Sequence, residues 1–187
     1  MKLRISILAG LLALATLVPS CTTPSWVSEA ESIVKVALPI VEGLASVVGT
    51  GPVVTQVVND INLIITLLDQ YQATPAAGTL GQIQAALNTA NADIGQILPA
   101  AHIQNAATQN KVEAILQLVT SEFSTIASLI PAPAVGALAA GPKPAMANPG
   151  GELPFTAKQF KSQYNKIVLA KTGDAACDQA FQGKELK

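Results

Sequence analysis

The chain has 187 residues and a mass of 19.2 kDa, enough for one medium-sized domain with extensions. Charged residues make up only 12% of it and apolar residues 50%, which excludes a disordered, highly charged protein. The formal net charge of −1 and the pI of about 5.8 give no positive field for phosphates, so we expect no nucleic-acid partner. One His and two Cys are too few for a four-ligand zinc site.

Residues 1–20 have the pattern of a secretory signal peptide. Lys2 and Arg4 give a basic start, and an uncharged, mostly apolar run follows from Ile5 to Val18. This run is shorter than the roughly 20 residues that a transmembrane helix needs. We therefore predict export of the protein and removal of the signal peptide; a buried N-terminal helix is the less favoured alternative.

The segment Val18-Pro19-Ser20-Cys21 ends the apolar run. It resembles the lipobox of bacterial lipoprotein precursors, in which a small residue precedes a cysteine that is acylated and becomes the first residue of the mature protein. The resemblance covers residues 1–21; Leu and then Ala, Ser or Thr are commonest at its first two positions, where this chain has Val and Pro. It implies a lipid on Cys21 that anchors the protein to a membrane of the cell envelope.

Ordinary cleavage after Ser20, which would give a secreted protein without a lipid, is the open alternative. The second cysteine, Cys177, distinguishes the two. An acylated Cys21 cannot form a disulfide, whereas a free Cys21 in an oxidising compartment could bridge to Cys177. For an acylated protein in a cell with two membranes, Thr22 after the cysteine implies sorting to the periplasmic side of the outer membrane.

Apolar residues recur at three- and four-residue steps through most of residues 28–130, the spacing of amphipathic helices. Since the connections are short, we predict an all-α fold, an antiparallel four-helix bundle made of two helical hairpins. Strands are the alternative, because the first two helices are rich in β-branched residues. Each predicted helix has a start signal and an end signal. The first helix starts at Ser28-x-x-Glu31 and ends at Gly49, and the second starts at Pro52 and ends at the loop of residues 72–78. The third starts at Thr79 and ends at Pro99, and the fourth starts at Asn105 and ends at Pro131.

The C-terminal part of the chain divides into a linker and a tail. Residues 131–154 are rich in Pro and Gly, which predicts a linker or an extended arm. In the tail, Thr156 caps a predicted short helix with Phe160 and Tyr164 inward, and Gly173-Asp174 begins a last turn. The predicted organisation is a signal peptide (1–20), a tether (21–27), a helical bundle (28–130), a Pro/Gly-rich linker (131–154) and a basic helical tail (155–187).

Charge is divided unevenly between bundle and tail. Residues 21–154 carry nine acidic residues against three lysines, a net charge of −6, whereas residues 155–187 carry six lysines against three acidic residues, a net charge of +3. Three interpretations are open: the tail docks on the acidic bundle, it binds anionic lipid or a polyanionic wall polymer, or it is a solvated helix. The candidate interaction surface consists of the outward lysines of the tail, Lys158, Lys161, Lys166 and Lys171.

The residue types that support catalysis are sparse. The only histidine, His102, lies in a predicted loop, Cys177 lies outside the predicted bundle, and no nucleophile motif is present. Paired carboxylates are conceivable among Asp60, Asp69, Glu113 and Glu122, but Asp60 and Asp69 fall on nearly opposite faces of one helix, and no Glu-x-x-His pair of a di-metal bundle occurs. We therefore expect no enzyme, no catalytic residue, no cofactor and no metal.

Chain lengths indicate how such a protein is arranged at a membrane. About six residues separate Cys21 from the first predicted helix, a reach of at most roughly 20 Å, whereas the linker can extend up to about 75 Å. Trp26 would either lie at the membrane interface or close the base of the bundle. We predict a non-enzymatic envelope lipoprotein, a structural or protein-interaction module whose partner is an envelope protein or a wall polymer. The alternative is a carrier of a lipid or another apolar ligand between the helices.

Overall fold

The computed structural model describes residues 24–49, 51–131, 153 and 155–187. The signal peptide, Cys21 and most of the linker lie outside these residues. Within them the chain forms helices and no strand, which confirms the all-α prediction. The helices are α1 (Ser25–Val48), α2 (Pro52–Ala73), α3 (Ala77–Ala101), α4 (Ala106–Leu129), α5 (Ala157–Leu169) and α6 (Ala175–Ala180).

Helices α1 to α4 form the predicted antiparallel bundle, each packed against the next along the chain. The contact that would close the bundle, between α1 and α4, is much less extensive than the other three. Helix α5 contacts both α1 and α4 and so lies along the groove between them. The tail therefore completes the bundle as a fifth helix.

Helices α1 and α5 run in the same direction and begin at the same end of the bundle. The backbone N–H of Ala157, the first residue of α5, donates to Oε1 of Glu29 in the second turn of α1. At the opposite end, Nζ of Lys184 donates to Oγ of Ser46 at 2.6 Å. The bundle has two ends, which we name as follows. The proximal pole is the end at which α1 and α5 begin and at which α4 ends. The distal pole is the opposite end, at which α4 begins.

Several predicted helix ends are confirmed. Pro52 occupies the first position of α2, and the side chain of Asn105 accepts from the N–H of Thr108 at the start of α4. Thr156 and Gln159 form a reciprocal capping box at the start of α5, which satisfies donors that the helix itself leaves unpaired. The Oδ1 of Asp174 accepts from the N–H of Cys177 at 2.8 Å and caps α6.

Three predicted ends are wrong by two to four residues. Helix α1 begins at Ser25, directly after Pro24, and the Ser28 hydroxyl donates to the carbonyl of Ser25 inside the first turn rather than capping the helix. Helix α3 begins at Ala77, two residues before the predicted cap Thr79. The Thr79 side chain lies within the helix and is buried. Helix α3 also continues for two residues beyond Pro99, although the proline has no N–H to donate to the carbonyl of Gly95.

Two residues that the sequence left at the margin of the bundle belong to its core. Trp26 is 4% exposed and Cys177 is fully buried. Cys177 belongs to α6 of the tail, outside helices α1 to α4, and it is buried because the tail packs against α1 and α4. For Trp26, its burial agrees with the alternative that it closes the base of the bundle. No described helix is long and apolar enough to cross a bilayer.

Candidate functional site: the lysine face of α5

The inner face of α5 determines which of its residues point outward. Phe160, Tyr164 and Val168 recur at four-residue steps and are buried against the bundle. The opposite side of the helix therefore faces outward. We call this outer stripe the α5 lysine face; it consists of Lys158, Lys161, Ser162, Asn165, Lys166 and Leu169.

Three of the four predicted lysines line one shallow surface recess on this face, together with Ser162, Asn165 and Leu169. Lys158 and Lys166 are exposed, and Lys161 is partly buried. Over the described ranges none of the three forms an ion pair, and α5 itself contains no acidic residue. Leu169 is 62% exposed, an unusual value for a large apolar side chain at the end of an amphipathic helix.

Lys171 is separated from the other three lysines. It follows the end of α5 and lines a neighbouring recess with Asp178 and Glu185. The pKa of Asp178 is lowered, chiefly by a hydrogen bond from the backbone N–H of Thr172 and to a smaller degree by the charge of Lys171. The predicted set of four lysines therefore divides into three uncompensated charges and one that has acidic neighbours.

A lysine of the bundle holds the end of α5, whereas the lysines of the α5 lysine face form no ion pair with the described residues of the bundle. Lys111 of α4 is only 5% exposed, and its Nζ donates to the carbonyls of Val168 at 3.1 Å and Ala170 at 2.7 Å. These carbonyls form the negative end of the α5 dipole. The ammonium also lies 5.0 Å from the centroid of the Phe181 ring, within the range of a cation–π contact.

Docking by charge neutralisation, one interpretation of the sequence, is therefore wrong in its mechanism. The tail does lie on the acidic bundle, but apolar burial and backbone carbonyls hold it there. In a further contact between bundle and tail, Nδ2 of Asn105 donates to Oδ2 of Asp174 at 3.0 Å. The pKa of Asp174 is lowered, chiefly by the hydrogen bond from the backbone N–H of Cys177 and then by the hydrogen bond from Asn105. Among the described residues the lysines of the α5 lysine face form no ion pair with the bundle, and the one tail lysine that contacts it there, Lys184, donates to the Ser46 hydroxyl.

The C-terminal segment packs back on α5. The Tyr164 hydroxyl donates to the carbonyl of Lys184 at 3.0 Å, and burial raises the pKa of Tyr164 to about 12. The side chain of Asn165 both donates to the carbonyl of Leu186 and accepts from its N–H, each at 2.8 Å. These bonds hold the C-terminal segment against Tyr164 and Asn165 of α5.

The candidate carboxylates do not form one site. Asp60 is buried and Asp69 is exposed, as their positions on opposite faces of α2 predict. The partner of Asp60 is Asp93 of α3, which the sequence did not single out. Burial raises the pKa of Asp60, and a hydrogen bond and repulsion from Asp93 raise it further. Gln56 donates to Oδ1 of Asp60 at 3.2 Å, while Oδ2 is buried and accepts no hydrogen bond from the described residues.

The second pair of acidic residues is separated in the same way. Glu122 is 2% exposed, and burial raises its pKa. Glu113 is exposed and accepts from Gln117 of its own helix. In the part of the chain that the structure describes, no three His, Cys, Asp or Glu side chains come together as metal ligands would. His102 is exposed and ends α3 in a left-handed conformation, with φ of 47°.

Among the described residues the α5 lysine face carries three lysines without ion pairs, and such uncompensated charges attract anions at long range. A carrier function between the helices stays a prediction. The recesses that we describe lie around α5 and α6 and, in one case, at the distal pole between Val54 and Ile97. No family model, curated protein or solved structure matches the chain.

Proposed function

We propose that this chain is a non-enzymatic lipoprotein of the bacterial cell envelope, anchored to a membrane by a lipid on Cys21, that acts as an interaction module through the α5 lysine face. The lipobox-like segment supports the anchor, although Cys21 lies outside the described residues. The observation that carries the proposal is topological. Helices α1 and α5 begin at the same pole of the bundle, so an anchor before α1 would bring the α5 lysine face close to the membrane.

Chain length supports this placement. Four residues lead from Cys21 to Ser25, a reach of about 14 Å, so the lipid would hold the proximal pole near the bilayer. Both ends of the linker also lie at this pole, since α4 ends there and α5 begins there. The long reach of residues 131–154 therefore does not carry the tail away from the membrane.

The position of Cys177 argues against the alternative of a disulfide. Cys177 lies toward the distal pole, where Asp174 contacts Asn105 at the start of α4. Helix α5 alone spans about 19 Å between the poles, whereas the three residues from Cys21 to Pro24 reach about 11 Å. A bridge that needs Cα atoms about 6 Å apart would therefore require the tail to leave its position, which favours an acylated Cys21.

The test is to express the complete precursor in a bacterium, separate membrane from soluble fractions and measure the mass of the N-terminal peptide. We expect a membrane-bound protein that begins at Cys21 and carries acyl chains, and a soluble Cys21→Ser variant. Cys177→Ser is the matched control and should remain acylated and membrane-bound. An unmodified N-terminus after Ser20 in the soluble fraction would overturn the proposal.

A further inference from the structure

We infer that the α5 lysine face rests on the anionic headgroups of the same membrane that holds the lipid anchor, so that the bundle lies along the bilayer. This inference rests on the proposed function, because it uses the anchor at the proximal pole. It goes further in naming the partner, an anionic lipid surface, and in stating which side of the molecule faces that surface.

The charge of this face is suited to such a surface. Lys158, Lys161 and Lys166 lie on one recess, and within the described residues no ion pair neutralises any of them. Asp178 and Glu185 line the neighbouring recess, which Leu169 borders as well, and Glu29 of α1 accepts from the N–H of Ala157 at the start of α5. None of these carboxylates forms an ion pair with the three lysines among the described residues. Bringing this stripe to anionic headgroups therefore requires no protein ion pair to break.

The apolar parts of the face fit the boundary between headgroups and acyl chains. Leu169, 62% exposed, ends the stripe and shares the recess with the lysines. Lysine side chains can lay their methylene stems along an apolar boundary while the ammonium groups reach the phosphates. A helix with lysines and an exposed large apolar side chain on one face is suited to lie in the plane of a membrane interface.

The direction of α5 decides how the bundle is oriented. The stripe from Lys158 to Leu169 is about 16 Å long and runs parallel to α1, away from the proximal pole. If the bundle stood upright on its anchor, only Lys158 would be near the headgroups. If it lies with α5 downward, all three lysines and Leu169 reach the surface together, and this orientation uses every charge of the stripe.

The anchor favours a membrane over a wall polymer or another protein as the occupant. A lipid on Cys21 keeps the bilayer within a short tether of the α5 lysine face at all times, so even weak attraction acts at a high effective concentration. A protein partner or a polymer would have to compete with a surface that is already present.

The test measures binding of the chain from residue 21 onward, with Cys21→Ser, to lipid vesicles. This chain contains the whole folded unit, because every buried residue that we describe lies between Trp26 and Phe181. We expect binding to vesicles of equal parts phosphatidylglycerol and phosphatidylcholine, and little to phosphatidylcholine alone. Lys158→Gln with Lys166→Gln should weaken binding by about 25-fold, about fivefold for each lysine, and the corresponding double Arg variant should retain it.

A single exchange elsewhere controls for net charge. Lys35→Gln removes one charge from the side of the bundle where α1 meets α2, at Asp69, and should leave binding within twofold, whereas Lys158→Gln should weaken it about fivefold. Equal losses for these two variants, equal binding to both kinds of vesicle, or binding to soluble polyphosphate without binding to vesicles would overturn the inference.

The vesicle assay and the anchor assay fail independently. Because the vesicle assay uses a chain without the lipid, loss of binding there leaves the acylation of Cys21 untouched. An unmodified N-terminus in the cell, in turn, removes the anchor and the proposed function but does not alter the vesicle measurement.

Discussion

Asp60 and Glu122 are carboxylates at positions that the fold buries. Asp60 precedes Ile61 on the buried side of α2, and Glu122 precedes Phe123 on that of α4. The apolar spacing indicates that such residues border the core, and it correctly separates Asp60 from Asp69. It cannot identify Asp93 as the partner of Asp60, because that depends on the register of α2 against α3. Both buried carboxyls have raised pKa values, so each is more easily kept neutral than an exposed carboxyl.

We expect Asp60→Asn to stabilise the fold at neutral pH, by about 1 kcal/mol, because an amide needs no charge in this buried position and can donate to Asp93. The pKa of Asp60 is higher in the folded than in the unfolded chain. Its stabilising contribution is therefore complete below the unfolded pKa and is lost as pH rises through the folded pKa. Urea unfolding between pH 3.5 and about 7.5 should show this loss in the parent and a smaller one in the variant.

Asp69→Asn is the control for this measurement, since Asp69 lies on the exposed side of the same helix. Its effect should stay within about 0.5 kcal/mol at every pH. A variant Asp60→Asn that is less stable than the parent at neutral pH would show that the charged form of Asp60 is the favoured one.

At the scale of helices, the sequence predicted which face of each helix is buried better than it predicted which neighbours that face packs against. Periodicity correctly identified Phe160 and Tyr164 as the inner face of α5, because burial follows the helical repeat. It could not predict that this face enters the groove between α1 and α4, because any apolar groove would satisfy the same pattern. Lys111 illustrates the limit: its partners, the carbonyls of Val168 and Ala170, lie more than fifty residues away along the chain.

The contact between α4 and α5 makes the stability of the fold depend on Lys111. Lys111→Met keeps an unbranched apolar stem but removes the donor to two buried carbonyls, so we expect the free energy of unfolding to fall by about 1–3 kcal/mol. Urea denaturation followed by circular dichroism measures this change. Lys35→Met is the matched control, because an exposed ion pair contributes at most about 1 kcal/mol. Similar losses for the two variants would contradict the anchoring role of Lys111.

At the scale of the whole molecule, bundle and tail share one core although a long linker separates them in sequence. Phe160, Cys177 and Phe181 are buried together with side chains of the bundle. Among the described residues the bundle's own closing contact, between α1 and α4, is slight, so α5 covers apolar surface that would otherwise meet water. A bundle without its tail would therefore lose packing on two helices at once, which couples the folding of the two parts.

This coupling predicts how Cys177 reacts with a thiol reagent. In the Cys21→Ser chain Cys177 is the only thiol, and it is fully buried. Its labelling under native conditions should therefore follow global unfolding, measured in parallel by the fluorescence of the single tryptophan, Trp26. Phe160→Ala should accelerate labelling by at least about 100-fold, since such a truncation costs about 3–5 kcal/mol.

The same change at Leu169, on the exposed side of α5, provides the comparison. Leu169→Ala should leave the labelling rate nearly unchanged, because the leucine is 62% exposed and contributes little to the shared core. If Cys177 of the parent is labelled rapidly while Trp26 keeps its native fluorescence, the tail leaves the bundle without unfolding it. The α5 lysine face would then be a detachable element, and its direction relative to the anchor would no longer be fixed by α1.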